Sequence, residues 1–247
     1  ARRRARYQLS LDEHFCLRVA RANGEAKLRA HAGLLAERRD SEPQSRYLLT
    51  VCLRRLATSI AAVDEQASIA SLRGLEGAGA AAYFEGFADL LPERLKFSGR
   101  NRRPPRDPVN ALLSLGYTLL HAEAVLALYG AGLDPFIGFY HALDFGRESL
   151  ACDLVEPLRV EVDRHALMLF RSEKLRPEDF STTASGCLLG KAGRARFYGE
   201  WEPLAARLRK LLAESVADVA GAIMQAGCVA APCSPAGDDA AAEEQGT

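Results

Sequence analysis

Apolar residues recur every three or four positions along most of the chain, which is the spacing of amphipathic α-helices. The pattern predicts helices near residues 10–22, 25–39, 44–64, 69–91, 108–129, 148–170 and 200–226. Asp107 followed by Pro108 is a typical start signal, because Asp caps free amides and Pro needs no hydrogen bond there. Ser, Thr and Gly clusters between 174 and 197 indicate a short hairpin. We therefore expect an all-α, orthogonal multi-helix bundle.

Composition supports a packed helical body with less ordered ends. The 247 residues are 48% hydrophobic, which is ample for a core. Ala and Leu dominate, while β-branched and aromatic residues are sparse. The domain prediction is a linker from a missing upstream domain at 1–9, because the first residue is not Met, and a helical domain at 10–226. An acidic tail rich in Ala and Pro follows at 227–247, where we expect disorder.

Charge and cysteine usage indicate an intracellular protein. The net charge is zero, and Arg strongly outnumbers Lys, as suits phosphate binding or simply GC-rich coding. The six cysteines form no CxxC pair, so reduced thiols in a cytoplasm are the simplest interpretation. No apolar run approaches the ~20 residues that span a bilayer. We expect a cytoplasmic protein without a membrane segment.

Glu76 is the first candidate for chemistry. It lies among three glycines at 74, 77 and 79, each of which costs a helix ~1 kcal/mol relative to Ala. Helical spacing places Glu76 on the same stripe as Tyr83 and Phe87, which are expected to face inward. A buried carboxylate needs a partner. That partner is either a metal ion or a neighbouring Arg in an ion pair.

His141, Asp153 and Glu156 are the other candidates, within sixteen residues of one another. His141 follows a turn rich in glycine, where a lone His is usually structural. Asp153 and Glu156 lie three apart on one helix face and repel each other unless a cation lies between them. Pro157 should bend the helix at this pair. The alternative is a solvated acidic turn paired with Arg159.

Two polar features accompany these candidates. A polar stripe runs along one side of the predicted helix 108–129 and consists of Asn110, Ser114, Tyr117 and His121. It is a layer behind the site, a surface that faces DNA, or a face exposed to solvent. The segment from 94 to 107 is strongly basic and stiffened by two prolines, which suits phosphate neutralisation or a solvated loop. The candidate DNA-binding residues are Arg100, Arg102, Arg103, Arg106, Asn110 and Tyr117.

Ordered motifs resemble the Cas1 family, the CRISPR-associated integrase and endonuclease of spacer acquisition. The resemblance covers roughly residues 7–212. The matching segments are Leu75-Glu-Gly77, the run from Arg102 to Tyr117, the run from Gly132 to His141, Gly146-Arg147, Asp153-Leu-Val-Glu-Pro157 and Val162-Asp-Arg164.

The resemblance implies a metal-dependent DNA endonuclease and strand transferase built on the helical catalytic domain of that family, with the N-terminal β-domain absent. It assigns Glu76, His141 and Glu156 as ligands of Mn²⁺ or Mg²⁺, with Asp153 beside them in the catalytic set. The implied reaction joins the 3′-hydroxyl of captured DNA to the CRISPR repeat.

Partners follow from the same resemblance. They are double-stranded DNA, a second copy in a homodimer, a Cas2-like protein and a fused reverse transcriptase or other adaptation module. Two alternatives stay open: a nonenzymatic DNA-binding assembly subunit, and a related transposon integrase with the same site.

Overall fold

A computed structural model describes residues 7–101, 104–141 and 144–230, with side chains as far as residue 226. The predicted all-α class is confirmed. The helices of the body are α1 Glu13–Ser41, α2 Arg46–Ala61, α3 Ile69–Asp89, α4 Pro108–Gly130, α5 Ser149–Val155, α6 Arg159–Arg171 and α7 Lys191–Ala230. Short 3₁₀ turns are at Glu93–Leu95 and Pro177–Asp179, and the strands are β1 Phe180–Thr183 and β2 Gly186–Leu189.

Several predictions fall on residues that are not described. These are most of the expected linker at 1–9 and most of the acidic tail at 227–247, together with the candidate DNA-binding residues Arg102 and Arg103.

The first two predicted helices are one continuous helix, α1. The prediction of a break near 23–24 is wrong because Gly24 is buried, with the side chain of Leu72 at 3.6 Å from the position of a Cβ. Packing against α3 therefore outweighs the low helix propensity of glycine. Asp12 caps the start of α1, since its carboxylate accepts a hydrogen bond of 2.7 Å from the amide of Phe15.

Two local predictions are confirmed. The helix expected over 148–170 is interrupted at Glu156–Leu158, so α5 ends before Pro157 and α6 starts after it. The hairpin is antiparallel, with Phe180 opposite Leu189. The last helix begins earlier than predicted, and Gly193 packs so closely on the hairpin that a Cβ would lie 2.6 Å from Leu189.

The helices form two groups that α1 joins. Helices α1, α2 and α3 pack on one another, and α4 packs on α5, α6 and α7. Helix α1 also contacts α5 and α6. Gly79 allows α1 and α3 to approach closely, because a Cβ there would lie 2.3 Å from a methyl of Leu28. This junction brings side chains of α1, α3 and α5 to one place.

Helix α4 is the central core helix. The prediction that no apolar run approaches bilayer length is wrong for this element, whose 23 residues include a window with a mean hydropathy of 1.6. Leu113, Leu120, Ala124 and Leu128 of α4 are fully buried in the protein interior. These positions form the face of α4 that packs in the core, while 39% of the window as a whole is buried and Leu126 and Tyr129 are exposed.

Candidate active site

Glu76 and Glu156 share one cation, the ammonium group of Lys27. Nζ of Lys27 lies 2.6 Å from Oε2 of Glu156 and forms an ion pair with Oε1 of Glu76. The three side chains are largely shielded, with exposed fractions of 13% for Lys27 and Glu76 and 9% for Glu156. Helices α1 and α3 and the residue that follows α5 thus bring two carboxylates onto a single positive charge.

Glu156 is held in its ionised form. The guanidinium of Arg159 lies 3.1 Å from Oε1 of Glu156. Burial alone would raise the pKa of Glu156, but the charges of Arg159 and Lys27 outweigh it and lower the pKa to about 2. The alternative of an acidic turn paired with Arg159 is thus right about the partner, but Glu156 is buried rather than solvated.

Tyr140 orients Glu76 from the other side. Its hydroxyl donates a hydrogen bond to Oε2 of Glu76. Arg73, one turn before Glu76, donates to the carbonyl oxygen of Tyr140 at 2.8 Å. Burial, followed by the hydrogen bond to Glu76 and its charge, raises the pKa of Tyr140 well above its ordinary value, so this hydroxyl keeps its proton and remains a donor.

Asp153 organises the turn that carries His141. Its Oδ2 accepts hydrogen bonds from the amides of Phe139 at 2.7 Å and Tyr140 at 3.0 Å, and its Oδ1 accepts from the amide of His141 at 3.1 Å. Gly138 permits this close approach, since a Cβ there would lie 2.9 Å from Oδ2 and 2.8 Å from the backbone of Ser149. The glycine in this turn is therefore required by packing.

The ring of His141 is fixed by the same carboxylate. Its Nδ1 lies 2.5 Å from Oδ1 of Asp153. A ring whose Nδ1 is paired with a carboxylate has Nε2 as the nitrogen left for a ligand, which is the arrangement found where a carboxylate orients a metal-ligating histidine.

These side chains meet at one cavity of about 720 Å³. Its walls include Lys27, Glu76, Tyr140, His141, Glu156 and Arg159. Glu76, His141 and Glu156 therefore reach a common space, as predicted, while buried Asp153 lies behind His141. The donor types, two carboxylates and an imidazole with an oriented ring, are ones that a divalent cation binds. Within the described ranges, however, no three His, Cys, Asp or Glu side chains are close enough together to hold a metal ion.

The assignment of Asn110 as a DNA-binding residue is corrected. Its side chain is fully buried and cross-links the basic loop to the start of α4. It donates to the carbonyl of Gly99 at 2.9 Å and to Oδ2 of Asp107 at 2.6 Å, and accepts from the amide of Asn101 at 3.0 Å. An amide committed to these partners shapes the loop and does not face DNA.

The assignment of Tyr117 as a DNA-binding residue stays a prediction: its side chain is partly exposed, but its hydroxyl is engaged inside the protein. The hydroxyl of Tyr117 donates a hydrogen bond to Oδ1 of Asp163. The other carboxylate oxygen, Oδ2, accepts a hydrogen bond of 2.8 Å from the hydroxyl of Tyr83. The guanidinium groups of Arg100 and Arg159 lie 5.0 and 4.9 Å from the centre of the Tyr117 ring. Of the proposed alternatives for the polar stripe, Tyr117 fits the layer behind the site, because Arg159 in turn contacts Glu156.

The remaining candidates of the basic loop differ from each other. Arg100 donates to Oδ1 of Asn110 at 2.6 Å, so part of its hydrogen-bonding capacity is used within the protein. Arg106 is exposed and extends from the loop just before α4. Arg106 is therefore the described member of the set that is best placed to contact a phosphate backbone.

Sequence reasoning missed Lys27 and Tyr140. A signal for Lys27 existed, since it lies on the side of α1 that buries Gly24, Leu28 and His31, where an unpaired lysine is unexpected. The sequence pattern predicts a metal or an arginine as the partner of Glu76, whereas the structure pairs it with a lysine 49 positions away.

The fold and the cavity define an all-α domain in which carboxylates and a carboxylate-bound histidine converge beside basic side chains. The chain belongs to the family described as CRISPR associated protein Cas1, whose family model matches residues 1–203.

Related sequences agree with this membership. The chain is 43% identical over 199 residues to a CRISPR-associated endonuclease Cas1 of Thermodesulfovibrio yellowstonii, covering 79% of the chain and 62% of that protein. It is 38% identical over 203 residues to a CRISPR-associated exonuclease Cas4/endonuclease Cas1 fusion of Geobacter sulfurreducens, covering 79% of the chain and 36% of the fusion. The chain thus spans less than two thirds of the length of these curated relatives.

Solved structures share the fold. A chain of a partial Cas6-RT-Cas1–Cas2 complex matches with a TM-score of 0.80 and 28% identity, over 89% of this chain and 69% of that one. A Cas1 protein from Thermotoga maritima matches with a TM-score of 0.78 at 24% identity, over 90% of this chain and 70% of that one. A casposase bound to its integration product has the same fold, with a TM-score of 0.73 at 22% identity, over 92% of this chain and 66% of that one.

Proposed function

We propose that this chain is the catalytic part of a metal-dependent DNA endonuclease and integrase that acts in CRISPR spacer acquisition. The observation that carries the proposal is the convergence of Glu76, Glu156 and His141 on one cavity, with the two carboxylates already sharing a cation. Membership of the Cas1 family supports the same conclusion, since relatives of the chain are named endonucleases.

The cavity would hold one Mn²⁺ or Mg²⁺ through Glu76, Glu156 and Nε2 of His141. When bound, such an ion supplies Lewis acidity at a phosphate oxygen. An imidazole among the ligands favours the softer Mn²⁺ over Mg²⁺. Asp153 keeps His141 in the tautomer that offers Nε2, and Tyr140 keeps Glu76 turned toward the cavity.

The substrate class is double-stranded DNA. In the proposed reaction the 3′-hydroxyl of a captured fragment attacks a phosphorus of the repeat, and the bond from that phosphorus to its 3′ oxygen breaks. Water in place of the hydroxyl gives endonuclease cleavage. Basic groups that neutralise phosphate charge are available in the cavity wall, at Arg73, Arg147 and Arg159, and on the loop at Arg106.

The proposed partners are a Cas2-like protein and a second copy of the Cas1 chain. A solved relative is part of a complex that joins Cas6, reverse transcriptase and Cas1 with Cas2, and a curated relative is a Cas4 fusion. We extend these associations to this chain as a proposal and place it in the cytoplasm, where CRISPR DNA is found.

The test is strand transfer of a short duplex into a supercoiled plasmid in the presence of Mn²⁺ and a Cas2-like protein. Glu76→Ala and His141→Ala should each abolish integration while DNA binding in a mobility-shift assay is retained. Glu85→Ala is the matched control, because Glu85 lies on the same helix in an exposed ion pair with Arg55. Full integration by Glu76→Ala would exclude the catalytic role and favour the nonenzymatic assembly subunit.

A further inference from the structure

Lys27 occupies the position between Glu76 and Glu156 that a cation bridging these two carboxylates needs. We propose that the ammonium group of Lys27 is the counter-ion of the metal-free site and competes with the divalent metal for these two carboxylates. The inference rests on the proposed function and concerns a residue that the predicted ligand set does not contain.

The contacts of Lys27 support this competition. One carboxylate oxygen of Glu156 lies 2.6 Å from Nζ, and Glu76 completes the bridge with Oε1. Only 13% of the Lys27 side chain is exposed. A divalent ion that bound both carboxylates at this point would repel the ammonium at very short range, so metal binding requires Lys27 to leave.

The surroundings explain why such a counter-ion is present. Glu76 and Glu156 come from different helices and are both shielded from water, so without a cation they would repel each other in a poorly solvated space. Arg159 contacts only Glu156 in this pair, and Tyr140 gives Glu76 a hydrogen bond but no charge. Lys27 is the described basic residue that forms an ion pair with both.

Two consequences follow. The metal-free fold is stabilised by Lys27, and the affinity for metal is reduced by the ion pairs that must break. Replacing Lys27 with an uncharged residue should therefore tighten metal binding, although most losses of a charged residue at an active site weaken function. An increase in metal affinity would therefore indicate competition, whereas a merely structural role of Lys27 predicts no increase.

The experiment is a calorimetric titration of the metal-free protein with Mn²⁺ alone. Lys27→Met should lower the dissociation constant by about tenfold or more, which corresponds to 1.4 kcal/mol. Mn²⁺ should also raise the melting temperature of Lys27→Met more than that of the unmodified protein, because binding to the folded state stabilises it. Arg29→Met is the matched control: Arg29 is on the same helix, in an exposed ion pair with Glu25, and its removal should leave Mn²⁺ affinity unchanged.

If Lys27→Met fails to fold, Lys27→Gln provides the same test, since an amide keeps a hydrogen-bond donor without the charge. An unchanged or weaker Mn²⁺ affinity in the folded variant would overturn the inference. The proposed function is judged separately by Glu76→Gln. If this substitution abolishes Mn²⁺ binding, the metal site is supported, whether or not Lys27 competes with the metal. If neither the unmodified protein nor the Lys27 variant binds Mn²⁺, both proposals fail.

Discussion

Nδ1 of His141 lies 2.5 Å from Oδ1 of Asp153, and the other oxygen of the same carboxylate accepts hydrogen bonds from the amides of Phe139 and Tyr140. One buried side chain thus sets both the backbone of the turn and the orientation of the imidazole. Asp153 acts through His141 and is a positioning residue in this structure.

Asp153→Asn should therefore weaken both the turn and the site. An amide nitrogen would replace one acceptor oxygen, so the free energy of unfolding should fall by ~1–3 kcal/mol. Metal affinity or strand transfer should fall by about 10–100-fold, as for other residues that orient a ligating histidine. Denaturant unfolding and the plasmid assay measure the two effects.

Asp134→Asn is the control for that change, because Asp134 lies on the same turn. Its Oδ1 accepts a hydrogen bond of 2.9 Å from the amide of Phe136, which the oxygen of an asparagine can still accept. Equal effects of the two substitutions would contradict the positioning role of Asp153.

Gly79→Ala should destabilise the protein by ~1–3 kcal/mol, because the new Cβ would meet a methyl of buried Leu28 at 2.3 Å. Gly74→Ala, in the same helix α3, has no neighbour within 4 Å and should be neutral or stabilising by up to ~1 kcal/mol. Chemical denaturation of both variants tests the difference. A Gly79→Ala protein as stable as Gly74→Ala would show that α1 and α3 do not approach as described.

Asp163 should make stability depend on pH. Complete burial, the largest effect, raises the pKa of Asp163 to about 6, although the hydrogen bonds from Tyr117 and Tyr83 act in the opposite direction. Between pH 4 and 6 the folded protein keeps a proton that the unfolded chain has released, so this group's contribution to the free energy of unfolding falls as the pH rises through that window.

Asp163→Asn removes this contribution. The stability of the variant relative to the unmodified protein should rise by up to ~3 kcal/mol between pH 4 and 7, measured as the difference in unfolding free energy at each pH. A difference that is the same at every pH would contradict the raised pKa of Asp163.

Arg106→Ala should weaken DNA binding without affecting the fold, because this side chain is exposed. Loss of one phosphate contact should reduce the slope of log affinity against log salt by about 1. Arg54→Ala is the control, because Arg54 is an exposed residue of α2, and it should leave the slope unchanged. An unaltered slope for Arg106→Ala would exclude this loop residue from the DNA interface.

Much of the fold was predictable because its signals are local. Helix spacing, the cap at Asp107, the interruption at Pro157 and the hairpin before α7 each depend on a few neighbouring residues. The break expected at Gly24 was wrong because that glycine packs against Leu72, 48 positions further along the chain, and local propensity contains no information about such a contact.

The sequence by itself determined the helical class and the chemical types available at the site: the carboxylates, the imidazole and the glycine-rich turn that carries it. Only the tertiary structure decided how these groups are paired. It placed Lys27 between Glu76 and Glu156, turned Asn110 into the interior and set Asp153 behind His141. The reason is that a buried charge must find its partner among the groups that helix packing brings together, and those groups are distant along the chain.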